Sequence, residues 1–291
     1  MTYWLNGEFR EDAHAIDIAD RGFLLGDGVF ETLLVRDGLA AFLDDHLARL
    51  QGGLSSLQIS VDLPKDLEKI ASTLIAKNEI DGDASLRLSI SRGSSGRGLA
   101  FPNAKENQPT ILLTARAALG APAETAAPLS IMISRYRRSE HSISSRCKTL
   151  NYLDNILARN EAVHAGADEA VMLNGQGKVA CASAANIFVI ADRGAVLTPS
   201  VDEGALPGIV RGVVLRACEQ IDVEVCEASF DTDTLQSGHV FLTNSLIGVR
   251  PASLLGSTSA WPPALLQILQ HLQSCYEVSL RDSLSLQARA Q

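Results

Sequence analysis

The chain has 291 residues, 46% of them hydrophobic, which is enough for one large or two medium cores. Thirty-four acidic against twenty-five basic side chains give a formal net charge of −9, so no chain-wide attraction to nucleic acid or to an anionic membrane is expected. Five cysteines without CxxC spacing support neither a disulfide framework nor a zinc knuckle, and six histidines without an HExxH pair argue against a metal site.

The opening MTYWLNGEFREDA carries charges where a signal peptide needs an apolar core, and no apolar run reaches the length of a membrane span; a cytoplasmic protein is expected. YWLNGEF predicts a hairpin on Asn6-Gly7, and VFETLLV with LAAFL predicts a second on Asp37-Gly38. DDHLARLQGGLSSLQI places Leu47, Leu50, Leu54 and Leu57 at helical spacing behind an Asp44 cap, with His46 and Arg49 off that apolar face. PKDLEKIASTLIAKN predicts a helix with Pro64 in its first turn and Leu67, Ile70 and Leu74 as its stripe. SLRLSIS alternates Leu86, Leu88 and Ile90 with polar residues as a half-buried strand does, feeds the glycine-rich SRGSSGRG, and is followed by a strand at TILLTA.

Residues 118–128, ALGAPAETAAP, lose all periodicity and predict a linker between domains at 1–117 and 129–291. The second half opens on the strand LSIMIS. A helix is predicted over 149–166, immediately after Lys148, with Leu150, Leu153, Ile156, Leu157 and Val163 on its buried side and Gly166 at its end. EAVMLN with KVAC, and NIFVI with AVLTP, predict an antiparallel meander. LPGIVRGVVLRACEQI is a helix opened by Pro207, and HVFLTNS a strand running into a polar turn. The fold class is α+β.

Three features invite chemistry. Lys148 stands among small and apolar residues at a strand-to-helix junction, where desolvation would make it a nucleophilic amine; the alternative is a surface lysine near a helix start. LPGIVRG brings a glycine to a helix N-terminus whose unpaired N–H groups suit an anion, and Arg49, Thr243 and Ser245 could complete a phosphate site. SRGSSGRG does not match a nucleotide loop, but its Arg97 could clamp a substrate carboxylate; otherwise it is a surface loop.

Taken together, RGFLLGDGVFET, HLARL, SRGSSGRG, KTLNYLDNILARNEA, ASAANIF, LPGIVR and FLTNSLIGVRP resemble, over nearly the whole chain, the fold-type IV pyridoxal-phosphate enzymes. That class holds the branched-chain and D-amino acid aminotransferases and the aminodeoxychorismate lyases. The resemblance implies a two-domain fold, with a smaller N-terminal α/β sandwich and a larger C-terminal domain built on a β-barrel-like core. It implies that Lys148 forms the internal aldimine with pyridoxal 5'-phosphate and shuttles the substrate proton. Arg49, the backbone of Ile209 and Val210, and the Ser245 hydroxyl would bind the phosphate, Val210 standing where many relatives have threonine. Tyr152 would reach the cofactor's phenolic oxygen, and Arg97 the substrate carboxylate. A homodimer is implied, with the site between the domains and completed by a neighbouring subunit's loop.

Thr32 and FLTNS resemble the lyase branch, which converts 4-amino-4-deoxychorismate to 4-aminobenzoate and pyruvate. A D-amino acid or branched-chain transaminase is the alternative. One departure stands out: five residues before Asn186, where the family carries a glutamate that keeps the pyridine nitrogen protonated, this chain has Cys181. A neutral thiol supplies no charge, so a further alternative is a cofactor-binding homologue with weak or no catalysis.

Overall fold

The computed structural model describes residues 1–12, 15–95, 98–102, 108–118, 127–257 and 260–290. It divides into two compact units, the first comprising Met1–Leu119, Cys147–Asn151 and Asp282–Gln291, the second Gly120–Arg146 and Tyr152–Arg281.

The first unit contains β1 (Tyr3–Leu5), β2 (Glu8–Arg10), α1 (Arg21–Leu25), β3 (Gly28–Arg36), β4 (Leu39–Ala40), α2 (Leu43–Ser56), α3 (Leu67–Lys77), β5 (Ala84–Ser91) and β6 (Thr110–Ala117). Its sheet has the order β2-β1-β6-β5-β3-β4. Both hairpins turn where the sequence expects: Asn6 and Gly7 have φ of 46° and 104°, Asp37 and Gly38 52° and 79°, the left-handed pair that a tight hairpin needs. Alternation along β3 and β5 turns Val29, Leu33, Val35, Leu86, Leu88 and Ile90 into one core with Leu50 and Leu54 of α2 and Ile70 and Leu74 of α3. α2 starts at Leu43 on a Phe42 N-cap without a side-chain bond, rather than on Asp44. Pro64 precedes α3 instead of lying in its first turn.

The second unit holds β7 (Leu129–Arg137), α4 (Ile143–Arg146), α5 (Leu153–Ala165), β8 (Glu169–Leu173), β9 (Val179–Ala182), β10 (Asn186–Ile190), β11 (Val196–Thr198), α6 (Ile209–Gln220), β12 (Val225–Glu227), α7 (Thr232–Ser237), β13 (His239–Asn244), β14 (Gly248–Leu254) and the start of α8 (Pro263–Ala290). Its curled sheet runs β12-β11-β10-β13-β14-β7-β8-β9. The expected meander is thus two hairpins apart: β8–β9 closes one edge, while β10 pairs with β11 and β13. Ile187, Val189, Val240 and Leu242 fill one face of this sheet with Ile131 and Val171. The stacked rings of Phe188 and Phe241, with centroids 4.8 Å apart, lie on the other.

Two expectations for the helix after Lys148 are corrected. It begins at Leu153, not at 149, because Thr149 bridges to Val29 and the Leu150 N–H donates to Gly28 O at 2.9 Å, which keeps the backbone extended. Its buried residues are Asn155, Ala158 and Ala162, whereas Leu153, Ile156 and Val163 are 67%, 60% and 61% exposed. Small alanines let α5 lie close to β7 and β8, so the apolar stripe turns outward. Among the described residues, no helix is long and apolar enough to cross a membrane.

Candidate active site

Lys148 is not at the start of a helix but in an extended segment between α4 and α5, sewn to the beginning of β3. The Phe30 N–H donates to Lys148 O at 2.8 Å. Gly28 permits this closeness, since a Cβ there would lie 2.3 Å from Ile90 O and 2.8 Å from Leu150 Cδ1. The half-buried lysine extends its Nζ to 4.3 Å from the Phe30 ring centroid. Arg87 on β5 lays its guanidinium 3.7 Å from the same centroid, and Arg87 pairs in register with Thr32, two residues along β3 from Phe30. An amine and a guanidinium therefore meet one aromatic ring, whose face favours cations, and Thr32 is the next residue on the same face of β3. The sequence pattern marked Lys148 and Thr32 but missed Arg87; its place opposite Thr32 follows only from the β3–β5 register.

Successive residues of a strand point to opposite faces. Phe30 turns to the lysine, and Glu31 turns to α2, where it is buried. The His46 ring Nδ1 is 2.7 Å from Glu31 Oε2, Arg49 Nε donates to Oε1 at 2.8 Å, and Arg49 Nη2 donates to Oε2 at 2.6 Å. His46 is buried as well, contrary to the expectation that it lies off the packed side of its helix. Burial alone would raise the Glu31 pKa, but the bonds from Arg49 and His46 outweigh it and bring the carboxyl from 4.5 to about 2. For His46, burial dominates and depresses its pKa, with the Arg49 and Lys148 charges acting in the same direction. Glu31 is an ionised carboxylate that fixes the Arg49 fork in a two-bond grip.

In the second unit, α6 begins on Gly208, an extended residue whose missing side chain leaves the helix without a side-chain cap. The first-turn N–H groups of Ile209 and Val210 have no carbonyl one turn back to receive them. Gly208 is required, because a Cβ there would come within 2.0 Å of Asn186 Oδ1. Asn186 in turn donates to Leu206 O at 2.8 Å and pairs across the sheet with Thr243. It secures the backbone that leads into α6. Thr243 Oγ1 is buried with no hydrogen-bond partner among the described residues, which costs about 1–3 kcal/mol unless a ligand meets it. Ser245 is half-buried in the turn just beyond β13. An uncapped helix terminus, a glycine cradle and an unmet buried hydroxyl fit a multi-oxygen anion such as phosphate.

Cys181 lies buried on β9 among Ala158, Ala162, Ala170 and Met172. Burial pushes its thiol pKa up, so the thiol is neutral and supplies no charge. Glu169, whose charge reaches it, is already committed: it receives the Ser183 hydroxyl and the Ala170 N–H at 2.8 Å, and pairs with Arg159 at 2.7 Å. Tyr152 is the half-buried N-cap residue of α5. Arg97 lies outside the described residues.

The first unit thus offers an amine on an aromatic face, and the second an uncapped helix terminus suited to a phosphate; each fits what a phosphate-bearing carbonyl cofactor needs, and the class is that of the pyridoxal-phosphate-dependent enzymes. Within that class the chain belongs to the amino-transferase class IV family, whose model matches residues 28–255. It is 30% identical to an aminodeoxychorismate lyase of Bacillus subtilis, over 91% of this chain and 92% of the relative. It is also 30% identical to a D-alanine aminotransferase of Listeria monocytogenes, over 84% and 83% of the two chains. The crystal structure of 4-amino-4-deoxychorismate lyase from Pseudomonas aeruginosa superposes with a TM-score of 0.77 at 30% identity, covering 97% of this chain and 99% of that one. The α+β fold and the family resemblance expected from the sequence are borne out.

Proposed function

We propose that the protein is a lyase of the aminodeoxychorismate type, releasing 4-aminobenzoate and pyruvate from 4-amino-4-deoxychorismate. The observation that carries this reading is the meeting of Lys148 and Arg87 at the Phe30 ring, with Thr32 next on the same face of the strand. The substrate has two carboxylates and must lose a proton at the carbon bearing its amino group. Arg87, a cation beside the lysine's aromatic ring, is assigned to one carboxylate, and Arg97 to the other. When bound, pyridoxal phosphate supplies an aldehyde for the substrate amine and a ring that accepts electrons.

The residues divide the remaining work. Arg49, oriented by Glu31, and the Ile209 and Val210 N–H groups with the Thr243 and Ser245 hydroxyls hold the phosphate. Tyr152 is assigned to the phenolic oxygen. Lys148 Nζ takes the proton from the amino-bearing carbon and, as an ammonium, returns one to the methylene carbon of the departing enolpyruvyl group. Thr32 holds that group, or the water near it, by its hydroxyl. A neutral Cys181 where relatives carry a glutamate would leave a bound pyridine ring a weaker electron acceptor, and an elimination that yields an aromatic product would tolerate this better than transamination.

Transamination of an amino acid is the second reading, favoured by the likeness to D-alanine aminotransferase. Incubation of the holoenzyme with 4-amino-4-deoxychorismate separates the two. Equimolar pyruvate and 4-aminobenzoate support the lyase, and conversion of the cofactor to its amine form by an amino acid, with no pyruvate released from 4-amino-4-deoxychorismate, supports the transaminase. A homodimer is the inferred working form. The exposed Phe23 and Leu24 on α1 and Leu153, Ile156 and Val163 on α5 supply apolar surface for it.

A further inference from the structure

Outside the groups assigned above, Arg138 lies buried just past the end of β7, 7% exposed. Its backbone is rooted on the sheet, where the Arg138 N–H donates to Leu173 O at 2.9 Å. Its guanidinium divides among three places: Nε donates to Gly204 O at 2.7 Å, Nη2 to Ser145 O at 2.8 Å, and Nη1 to Asn155 Oδ1 at 3.4 Å. All three acceptors are neutral oxygens. A buried guanidinium bonded to no carboxylate forgoes the compensation that an ion pair gives, so it is a poor way merely to fill space.

The places it joins flank the lysine. Ser145, 3% exposed, lies on α4 three residues before Lys148, and Asn155, 7% exposed, lies in the first turn of α5 seven residues after it. One planar group thus holds both ends of the stretch that carries Lys148. Residues 147–152 lie outside any helix, so the hold at the ends limits how far that stretch can slide or turn. Asn155 has a second hold, its Nδ2 donating to Ser183 O at 2.6 Å. The third bond of Arg138, to Gly204 O, falls in the loop that leads to α6. Nearer the helix, Leu206 O is held separately by Asn186 at 2.8 Å, so the α6 terminus keeps a support of its own.

We propose that Arg138 is a positioning residue for Lys148: by holding Ser145 and Asn155 on one guanidinium it fixes the two ends of the lysine's stretch, and so keeps the amine placed for a bound aldehyde. The proposal rests on the reading of Lys148 as the lysine that bonds the cofactor. Arg138→Lys keeps the charge but loses the fork, so it can hold one end or the other but not both.

The test is titration calorimetry of the cofactor-free protein with two ligands. Pyridoxal 5'-phosphate has an aldehyde that condenses with an amine with loss of water; pyridoxamine 5'-phosphate cannot form that bond. Lys148→Ala should weaken the first at least about tenfold and the second less than about twofold. Arg138→Lys should show the same split, weakening pyridoxal 5'-phosphate about tenfold, the net worth of about one hydrogen bond, and leaving pyridoxamine 5'-phosphate within about twofold. Adding Arg138→Lys to Lys148→Ala should weaken pyridoxal 5'-phosphate no further, because both act on one bond.

Unchanged affinity for pyridoxal 5'-phosphate in Lys148→Ala sinks the reading of the lysine and this inference with it. The expected split in Lys148→Ala beside unchanged affinities in Arg138→Lys sinks this inference alone. Equal weakening of both ligands by Arg138→Lys does the same, since that is what a merely structural role gives, as does full additivity of the two variants. Should Arg138→Lys fail to fold, Asn155→Ala leaves the guanidinium in place and releases one end. It should weaken pyridoxal 5'-phosphate about fivefold with pyridoxamine 5'-phosphate within about twofold, and wild-type affinity for both there overturns the proposal.

Discussion

Replacing Glu31 by glutamine tests whether one carboxylate organises Arg49, the arginine proposed to bind the phosphate. The side chain is 1% exposed, and its pKa falls from 4.5 to about 2, so the ionised form is favoured in the fold by about 3 kcal/mol. Glutamine keeps the shape but removes the charge that grips the Arg49 fork, where Arg49 is only 12% exposed. We expect a loss of about 2–4 kcal/mol in urea unfolding of the cofactor-free protein at pH 7, and cofactor affinity weakened about tenfold or more in a spectral titration. Because the folded pKa is depressed, this contribution is complete above about pH 4.5 and is lost as pH falls towards about 2. The wild type should therefore destabilise through that window more steeply than Glu31→Gln. Equal stability at pH 7, or identical acid profiles, would refute the reasoning.

Further outcomes follow from the same geometry. Lys148→Ala should lose the visible absorbance of bound cofactor and at least about a thousandfold in turnover, while still holding the phosphate; retained activity would remove the lysine from its role. Gly208→Ala forces a Cβ into Asn186 Oδ1, 2.0 Å away, and should weaken cofactor binding about tenfold in the same titration, whereas Gly177→Ala, with nothing within 4 Å but a φ of 79°, should cost only stability. Cys181→Glu should retain the cofactor and raise transamination, at a cost of about 1–3 kcal/mol from a larger side chain entering an alanine-lined core. An unchanged or lower rate would mean that the site has adapted to work without that charge. Leu153→Glu with Ile156→Glu should shift the sedimentation coefficient to that of a monomer if α5 meets a second copy; an unchanged coefficient excludes that face.

What the sequence disclosed was what local physics decides. The Asn6-Gly7 and Asp37-Gly38 turns, the alternation of Leu86, Leu88 and Ile90, and the stripe of α3 all depend on neighbours a few residues away. Lys148 and the α6 terminus could be picked out because a lysine among small residues and a glycine before a helix have local signatures. The rest needed long-range contact. The start of α5 is set by Val29, more than a hundred residues earlier, and its outward stripe by alanines that looked like filler. Arg87 becomes a candidate only once β5 is registered on β3. Glu31, read as one letter of a motif, turns out to hold two residues of α2. Thr243 could be named from the sequence as a hydroxyl of the polar turn, but that its hydroxyl is buried without a partner among the described residues shows only in the fold.

The most direct measurement is a single incubation of purified holoenzyme with 4-amino-4-deoxychorismate, following pyruvate by reduction with lactate dehydrogenase and 4-aminobenzoate by fluorescence. Equimolar release of both, abolished in Lys148→Ala, is the expected result. A holoenzyme that yields no pyruvate, but whose cofactor is converted to its amine form by an amino acid, would contradict the lyase reading and make the protein a transaminase.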